Sequence, residues 1–148
     1  MKILLQLFMI GMLLSCDKSS STVDPISIVG EWKVTELRTA PQFTGVKAET
    51  KTEANLGFTQ TLVLKKDGTY IKTRISNGQA KELNGTYTDT IIEGTHHVSL
   101  KYPTDKYGDL YESCFATGEP LELKDGLLLN NFWPACDGPY TLKYRKIK

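Results

Sequence analysis

From Ile28 onward, turn sequences divide the chain into short segments, and this spacing is the strongest constraint on its fold. Each segment is rich in Val, Ile, Leu, Thr and Tyr, as β-strands are. Asn-Gly and Asp-Gly accept the positive φ angles that tight hairpins require. The turns are Lys66-Asp67-Gly68, Asn77-Gly78, Glu93-Gly94, Tyr107-Gly108, Lys124-Asp125-Gly126 and Asp137-Gly138. The pattern predicts an antiparallel all-β domain.

Alternating residues within the segments indicate which side chains face the core. The proposed inward sets are Trp32 and Val34; Phe58, Leu62 and Leu64; Ile71 and Ile75; Leu83, Gly85 and Tyr87; His96, Val98, Leu100 and Tyr102; and Tyr140, Leu142 and Tyr144. Roughly eight strands in about 120 residues suit a closed up-and-down barrel, with an open two-sheet sandwich as the alternative. Residues between Pro41 and Gly57 form the one long connection.

The first residues have the pattern of an export signal. Met1 and Lys2 precede an almost wholly apolar run from Ile3 to Leu14, which ends at Ser15 and Cys16. A membrane-spanning helix needs about 20 apolar residues, so this run is too short to span. The alternative is a short core helix that happens to end in cysteine.

Leu13-Leu14-Ser15-Cys16 resembles the lipobox of bacterial lipoproteins. The resemblance implies cleavage before Cys16, lipid on its thiol and an acyl chain such as palmitate on the new amine. We therefore expect a signal peptide at residues 1–15, a lipidated flexible tether at 16–24 and a barrel domain at 25–148. The expected location is the cell envelope, at the outer membrane rather than the inner one.

Charge limits the partners of the mature chain. The sequence contains 18 Lys and Arg against 17 Asp and Glu, and loss of Lys2 with the signal peptide leaves 17 of each. A nucleic-acid-binding protein usually carries a basic surface stripe, so this balance argues against nucleic acid. It also argues against purely electrostatic attachment to anionic lipids. The predicted membrane contact is the lipid on Cys16.

Two cysteines remain after Cys16 is assigned to lipid. Because an exported chain matures in an oxidising compartment, we expect Cys114 and Cys136 to form a disulfide. A metal site is the alternative, but the pair lacks a CxxC motif and has no nearby histidine.

Four segments resemble the lipocalin-like lipoproteins of Bacteroidetes, and the first of them also resembles the G-x-W opening of lipocalins. They are Gly30-Glu31-Trp32, the run Thr61 to Tyr70 with its Asp67-Gly68-Thr69-Tyr70 turn, Asn84-Gly85-Thr86-Tyr87, and Tyr140-Thr141-Leu142-Lys143-Tyr144. The resemblance implies a lipocalin-like barrel in which Gly30 and Trp32 lie at the closed end. It also implies a cation over the Trp32 ring, with Arg145 or Lys143 as the candidate. The chain departs from typical lipocalins in lacking a clear T-D-Y motif.

Candidate ligand-binding residues are four aromatic side chains. Tyr70 and Tyr87 are expected on the wall near the open end, while Phe132 and Trp133 lie in a loop beside Cys136. The alternative is that the tyrosines are core residues and the loop is a plug over the barrel.

Catalytic and metal signatures are weak. No serine or cysteine nucleophile motif, phosphate-binding loop or paired carboxylate stands out, so we predict neither an enzyme nor a cofactor. His96 and His97 are adjacent and point to opposite faces of a strand, so they cannot readily share a metal.

Two functional hypotheses follow. The first is a membrane-anchored lipoprotein whose barrel binds a small apolar or amphipathic ligand. The alternative is a structural or protein-interaction lipoprotein of the envelope with a filled barrel and no small ligand.

Overall fold

A computed structural model describes residues 27–39, 47–103, 110, 117–132 and 140–148, with the backbone alone at 131, 132 and 140. The expected signal peptide, Cys16 and most of the tether lie outside these ranges. Cys114, Cys136 and Trp133 also lie outside them, and so does the side chain of Phe132.

Nine strands make up the described fold. They are β1 (Gly30–Thr39), β2 (Glu49–Thr52), β3 (Thr59–Leu64), β4 (Thr69–Ser76), β5 (Gln79–Ile92), β6 (Thr95–Lys101), β7 (Gly118–Lys124), β8 (Leu127–Phe132) and β9 (Tyr140–Lys146). All pairings are antiparallel, and β1 pairs with β9, which closes the sheet. Eight strands, β1 and β3 to β9, form the barrel, and β2 pairs with the second half of β1. The predicted all-β, eight-stranded antiparallel barrel is confirmed.

The connection predicted between Pro41 and Gly57 is more structured than expected. It contains β2 and a 3-10 turn at Glu53–Asn55. Lys33 on β1 forms an ion pair with Glu53 at this turn. Within the described ranges this turn is the only helical element, so none has the length or apolarity of a transmembrane span.

Three hairpins use the turn chemistry that the sequence predicts. Both central residues have positive φ at Asn77 and Gly78 (51° and 74°), Glu93 and Gly94 (50° and 80°), and Asp125 and Gly126 (52° and 76°). This is the type I′ geometry, whose twist matches that of the flanking strands. These turns fix the register of β4 with β5, β5 with β6, and β7 with β8.

Inward-facing side chains fill the described interior. They include Trp32, Val34, Leu62, Leu64, Tyr70, Leu100, Leu128, Leu142 and Tyr144, all at most 1% exposed. The inward set predicted for β4 is wrong. Tyr70 and Lys72 are buried there, whereas Ile71 is half-buried and Ile75 is 47% exposed. A lysine can occupy the interior because a carboxylate inside the barrel neutralises it, which no local pattern shows.

The barrel has two distinct ends. The Trp32 end contains the start of β1, the turn at 65–68, the β5–β6 hairpin, the β7–β8 turn and the residues after β9. The loop end contains the β4–β5 turn and the strand ends that lead into residues 40–46, 104–116 and 133–139.

Candidate functional site

An ion pair lies inside the barrel toward the loop end. The Lys72 Nζ is 2.6 Å from the Glu119 Oε2, and both side chains have no exposed surface. Lys72 lies on β4 and Glu119 on β7, so closure of the barrel brings them together. The ammonium also donates to the backbone carbonyl of Leu110 at 3.0 Å. In this protected setting the attraction between the two charges is stronger than at the surface.

The Glu119 carboxylate accepts from two further side chains. The Tyr102 hydroxyl donates to Oε2 at 2.8 Å, and the Asn130 amide donates to Oε1 at 2.6 Å. Tyr102 is 2% exposed and Asn130 is fully buried. Both carboxylate oxygens therefore have donors, as a buried acidic group requires.

A second set of polar contacts continues toward the rim. The Gln60 amide donates to the Tyr144 hydroxyl at 2.7 Å, and both residues are fully buried. Arg74 Nε donates to Gln60 Oε1 at 2.6 Å. The Arg74 guanidinium also stacks 4.5 Å from the centre of the Phe58 ring. We call Gln60, Lys72, Tyr102, Glu119, Asn130 and Tyr144 the polar cluster.

Among the described residues, one buried acceptor in the polar cluster has no hydrogen-bond donor. It is the Asn130 Oδ1; the Nδ2 of the same side-chain amide donates to Glu119. Rotating the amide would not help, because it would place two acceptor oxygens against each other. Such a buried acceptor in a folded protein calls for an explanation, such as a water molecule or a bound group that donates to it.

The polar cluster places polar and charged side chains in the interior of a small barrel. No protein family, curated protein or solved structure matches this chain. Its interpretation therefore rests on its own geometry.

The described residues outline two recesses at the surface. One of about 300 Å³ is at the loop-end rim, lined by Arg74, Ser76, Asn77, Gln79 and Lys81. Because Arg74 bonds to Gln60, this recess adjoins the polar cluster. The other, about 530 Å³, is on the outer wall across β5, β6 and β7, where it is lined mainly by outward side chains. The rim recess reaches Gln60 through Arg74, and the outer-wall recess has Glu119 itself in its lining.

The predicted ligand-binding tyrosines are not at the loop end. Tyr70 follows the turn at 65–68, is 1% exposed, and donates to the backbone carbonyl of Lys101 at 3.3 Å. Tyr87 is half-buried and donates to the Lys65 carbonyl at 2.7 Å. Their expected position at the open end is wrong, because alternation gives the face of a side chain but not its height along the barrel. Phe132 and Trp133 remain predictions, since their side chains lie outside the described ranges.

Trp32 closes the opposite end of the interior. Its side chain is fully buried, and the indole Nε1 donates to the Ile28 carbonyl at 2.8 Å. The cation over its ring is Lys146, at 5.7 Å from the ring centre. The expected Arg145 or Lys143 is therefore wrong. Tyr144 is buried inside the barrel, so two-residue alternation along β9 directs Lys146 inward and Arg145 and Lys143 outward.

Gly30 makes room for this cation. Its φ of 143° is a conformation that favours glycine. A Cβ at this position would also come closer than 3.0 Å to the backbone carbonyl of Lys148 and to the Lys146 side chain. Lys146 is held there by donating to the Ser27 carbonyl at 2.7 Å. The glycine of the G-x-W motif thus has a steric reason in this chain.

The two histidines are both half-buried and have different surroundings. The Nδ1 of His96 lies 2.8 Å from Asp89 Oδ2, across the β5–β6 hairpin. Among the described residues no group of three His, Cys, Asp or Glu side chains is placed to hold a metal ion.

The sequence contains a signal for the polar cluster in the phase of its inward positions. Gln60 is in phase with the inward Leu62 and Leu64, and Glu119 is in phase with Leu121. Asn130 follows Leu128 in the same way. Polar residues at inward positions of several strands indicate a polar interior, although their pairing requires the closed barrel.

Proposed function

We propose that this chain is a lipid-anchored envelope protein with a lipocalin-like barrel that binds a small amphipathic ligand at the loop end. The polar group of the ligand is recognised beside the polar cluster, and the rim recess next to Arg74 provides its entry. The observation that carries this proposal is the buried Asn130 Oδ1, which has no donor in the part of the chain that the structure describes.

Energetics support a binding role for the polar cluster. Removing two charges from water costs several kcal/mol per ion, and well-packed apolar residues in their place often give equal or greater stability. The barrel also contains an apolar core around Trp32, so it does not need Lys72 and Glu119 for packing alone. A polar interior with an unsatisfied acceptor suits a ligand that carries a hydroxyl or ammonium donor.

A filled barrel that serves as a structural or protein-interaction lipoprotein is the second candidate. A specific observation favours it: the large interior side chains, including Trp32, Tyr70 and Tyr144, are at most 1% exposed. Because the centre of the barrel is filled in this way, a ligand would have to bind at the loop end and not in a deep central cavity.

Native mass spectrometry of the mature lipidated protein distinguishes the two candidates. The protein is purified from its own cells in mild detergent and measured before and after denaturation. A discrete added mass that denaturation releases supports the binding protein and identifies its ligand. Absence of any such mass, even after incubation with concentrated cell extract, favours the filled barrel.

A matched pair of variants locates the site. Asn130→Leu removes the buried acceptor, and Asn84→Leu makes the same change at an exposed position on β5. We expect the added mass to disappear in the first variant and to persist in the second, with circular dichroism confirming that both are folded. Retention of the ligand by a folded Asn130→Leu protein would place the site elsewhere.

The lipid anchor has its own test. Cys16→Ala should prevent lipidation, so the chain should move from the membrane fraction to the soluble fraction or remain uncleaved. If the variant is still cut at the same bond and still sediments with membranes, the anchor is not on Cys16.

A further inference from the structure

Exposed apolar side chains are concentrated at the Trp32 end of the barrel. Four large hydrophobic residues are exposed among the described residues: Ile75, Ile91, Ile92 and Ile147. Ile91 and Ile92 are 62% and 54% exposed at the tip of the β5–β6 hairpin. Ile147 follows β9, where its amide donates to the Glu31 carbonyl of β1. Only Ile75 is at the loop end, so three of the four share one end.

The β5–β6 hairpin extends past its neighbouring strands. Pairing of β5 with β4 stops at Thr86, whereas pairing of β5 with β6 continues to Ile92 and Thr95. On the other side, pairing of β6 with β7 stops at His97. Ile91 and Ile92 therefore lie on a two-stranded ribbon that no third strand of the described fold borders. Among the described residues, both side chains stay more than half exposed.

The chain before the barrel leads to this same end. Ser27, Ile28 and Val29 precede β1 there, and the Ile28 carbonyl accepts from the Trp32 indole. Only ten residues separate Ser27 from Cys16, the proposed lipid attachment point. A tether of that length spans at most about 35 Å when fully extended. Because it joins the barrel at the Trp32 end, its attachment point favours that end facing the lipid.

Charges at this end are mixed. The turns carry Lys65, Lys66 and Lys124 together with Asp67, Glu93 and Asp125, and the chain ends in Lys146, Ile147 and Lys148. These are five lysines against three acidic residues, and Lys148 is paired with Glu31, so the net attraction to anionic lipids is small. Apolar contact must supply the rest of the attachment beyond the anchor. Exposed isoleucines on a ribbon beside the anchor provide that contact.

We propose that the Trp32 end rests on the bilayer surface, with Ile91 and Ile92 inserted among the lipid headgroups. This inference rests on the proposed lipid anchor at Cys16. It fixes the orientation of the barrel: the β5–β6 ribbon contacts the membrane, and the loop end with the polar cluster faces away from it. The bound ligand would then enter from the aqueous side.

Tryptophan fluorescence in vesicles tests the orientation. The full lipidated chain is reconstituted into phosphatidylethanolamine and phosphatidylglycerol vesicles, with and without bromine on the acyl chains near the headgroups. Ile91→Trp places a reporter on the ribbon, and Ile75→Trp is the matched control at the loop end. We expect brominated lipid to remove most of the emission that the Ile91→Trp reporter adds, and acrylamide in the water to quench the Ile75→Trp reporter instead.

Three outcomes would overturn the orientation. Equal lipid quenching of the two reporters means that the Trp32 end does not face the bilayer. Protection of Ile91→Trp from both quenchers means that another protein or a second copy of the chain covers the ribbon. If the wild-type chain does not float with vesicles, the proposed lipid anchor is wrong. Vesicle flotation, measured alongside fluorescence, separates this result from the other two.

Discussion

The Lys72 ammonium lies 2.6 Å from the Glu119 carboxylate inside the barrel, and neither side chain has any exposed surface. The two residues are 47 positions apart in the sequence and meet only because the sheet closes. With Tyr102 and Asn130 they form a connected polar group in the interior of a small barrel. This pair is the feature that most distinguishes the loop end from the apolar Trp32 end.

Removing one member of this pair should be strongly destabilising. Lys72→Met or Glu119→Leu should lower the free energy of unfolding by about 3 to 5 kcal/mol, because each leaves a buried charge without its partner. The double variant should lose clearly less than the sum of the two. Equilibrium denaturation in urea measures all three values.

The surface pair Lys143 and Glu36 is the matched control. Its ionic atoms are also 2.6 Å apart, but the side chains are 36% and 25% exposed. Glu36→Gln should therefore change the free energy of unfolding by only about 0 to 1 kcal/mol. A Lys72→Met effect as small as this would contradict the importance of burial.

Lys146, rather than Arg145, should stabilise the Trp32 end. Lys146→Met removes the cation over the Trp32 ring and should lower the free energy of unfolding by about 0.5 to 2 kcal/mol. Arg145→Met, one position away on the outward face, should change it by less than about 0.5 kcal/mol. Denaturation followed by tryptophan fluorescence compares the two, and a larger effect at Arg145 would argue against the inward position of Lys146.

The turn between β3 and β4 should weaken in acid. The Thr69 hydroxyl donates to Asp67 at 2.6 Å and the Thr69 amide does so at 3.0 Å, and these bonds hold the pKa of Asp67 below its usual 3.8. Because the folded-state pKa is lowered, the stabilising contribution is present above pH 3.8 and is lost as the pH falls through the folded-state pKa. The midpoint of unfolding of the protein should therefore decrease as the pH is lowered through that range.

Thr69→Val tests the cause of this pKa shift. The variant lacks the hydroxyl donor, so the pKa of Asp67 should rise toward 3.8 in an NMR titration of its carboxyl carbon. Thr86→Val, directly opposite on β5, should leave the pKa unchanged. An equal rise in both variants would show that the hydroxyl of Thr69 is not the cause.

Gly85 should tolerate no side chain. A Cβ there would come closer than 3.0 Å to both the Lys101 carbonyl and the Tyr70 ring. Gly85→Ala should lower the free energy of unfolding by about 1 to 3 kcal/mol, the usual cost of overpacking. Asn84→Ala, at the exposed neighbouring position, should lower the free energy of unfolding by less than about 0.5 kcal/mol. Thermal unfolding of both variants measures the difference. Equal melting temperatures would show that Tyr70 can move aside.

The sequence by itself determined the class of fold and the positions of the turns. Gly-containing pairs such as Asn77-Gly78 and Asp125-Gly126 accept the positive φ of type I′ turns, so these hairpins could be predicted locally. Alternation along β3, β5 and β6 gave correct inward residues, among them Leu62, Leu83 and Leu100. These features depend on backbone sterics and on neighbours within a few residues, which a sequence shows directly.

Only the tertiary structure decided what the interior contains and at which end each residue lies. A lone lysine in a strand usually faces water, so the sequence does not indicate that Lys72 is buried, and its partner Glu119 comes 47 residues later. The height of Tyr70 and Tyr87 in the barrel depends on strand tilt and register, which alternation does not show. Trp32 was expected to face Arg145 or Lys143, but the alternation that buries Tyr144 directs Lys146 to the ring. Each of these depends on the closing pair of strands, β1 and β9, which local sequence cannot specify.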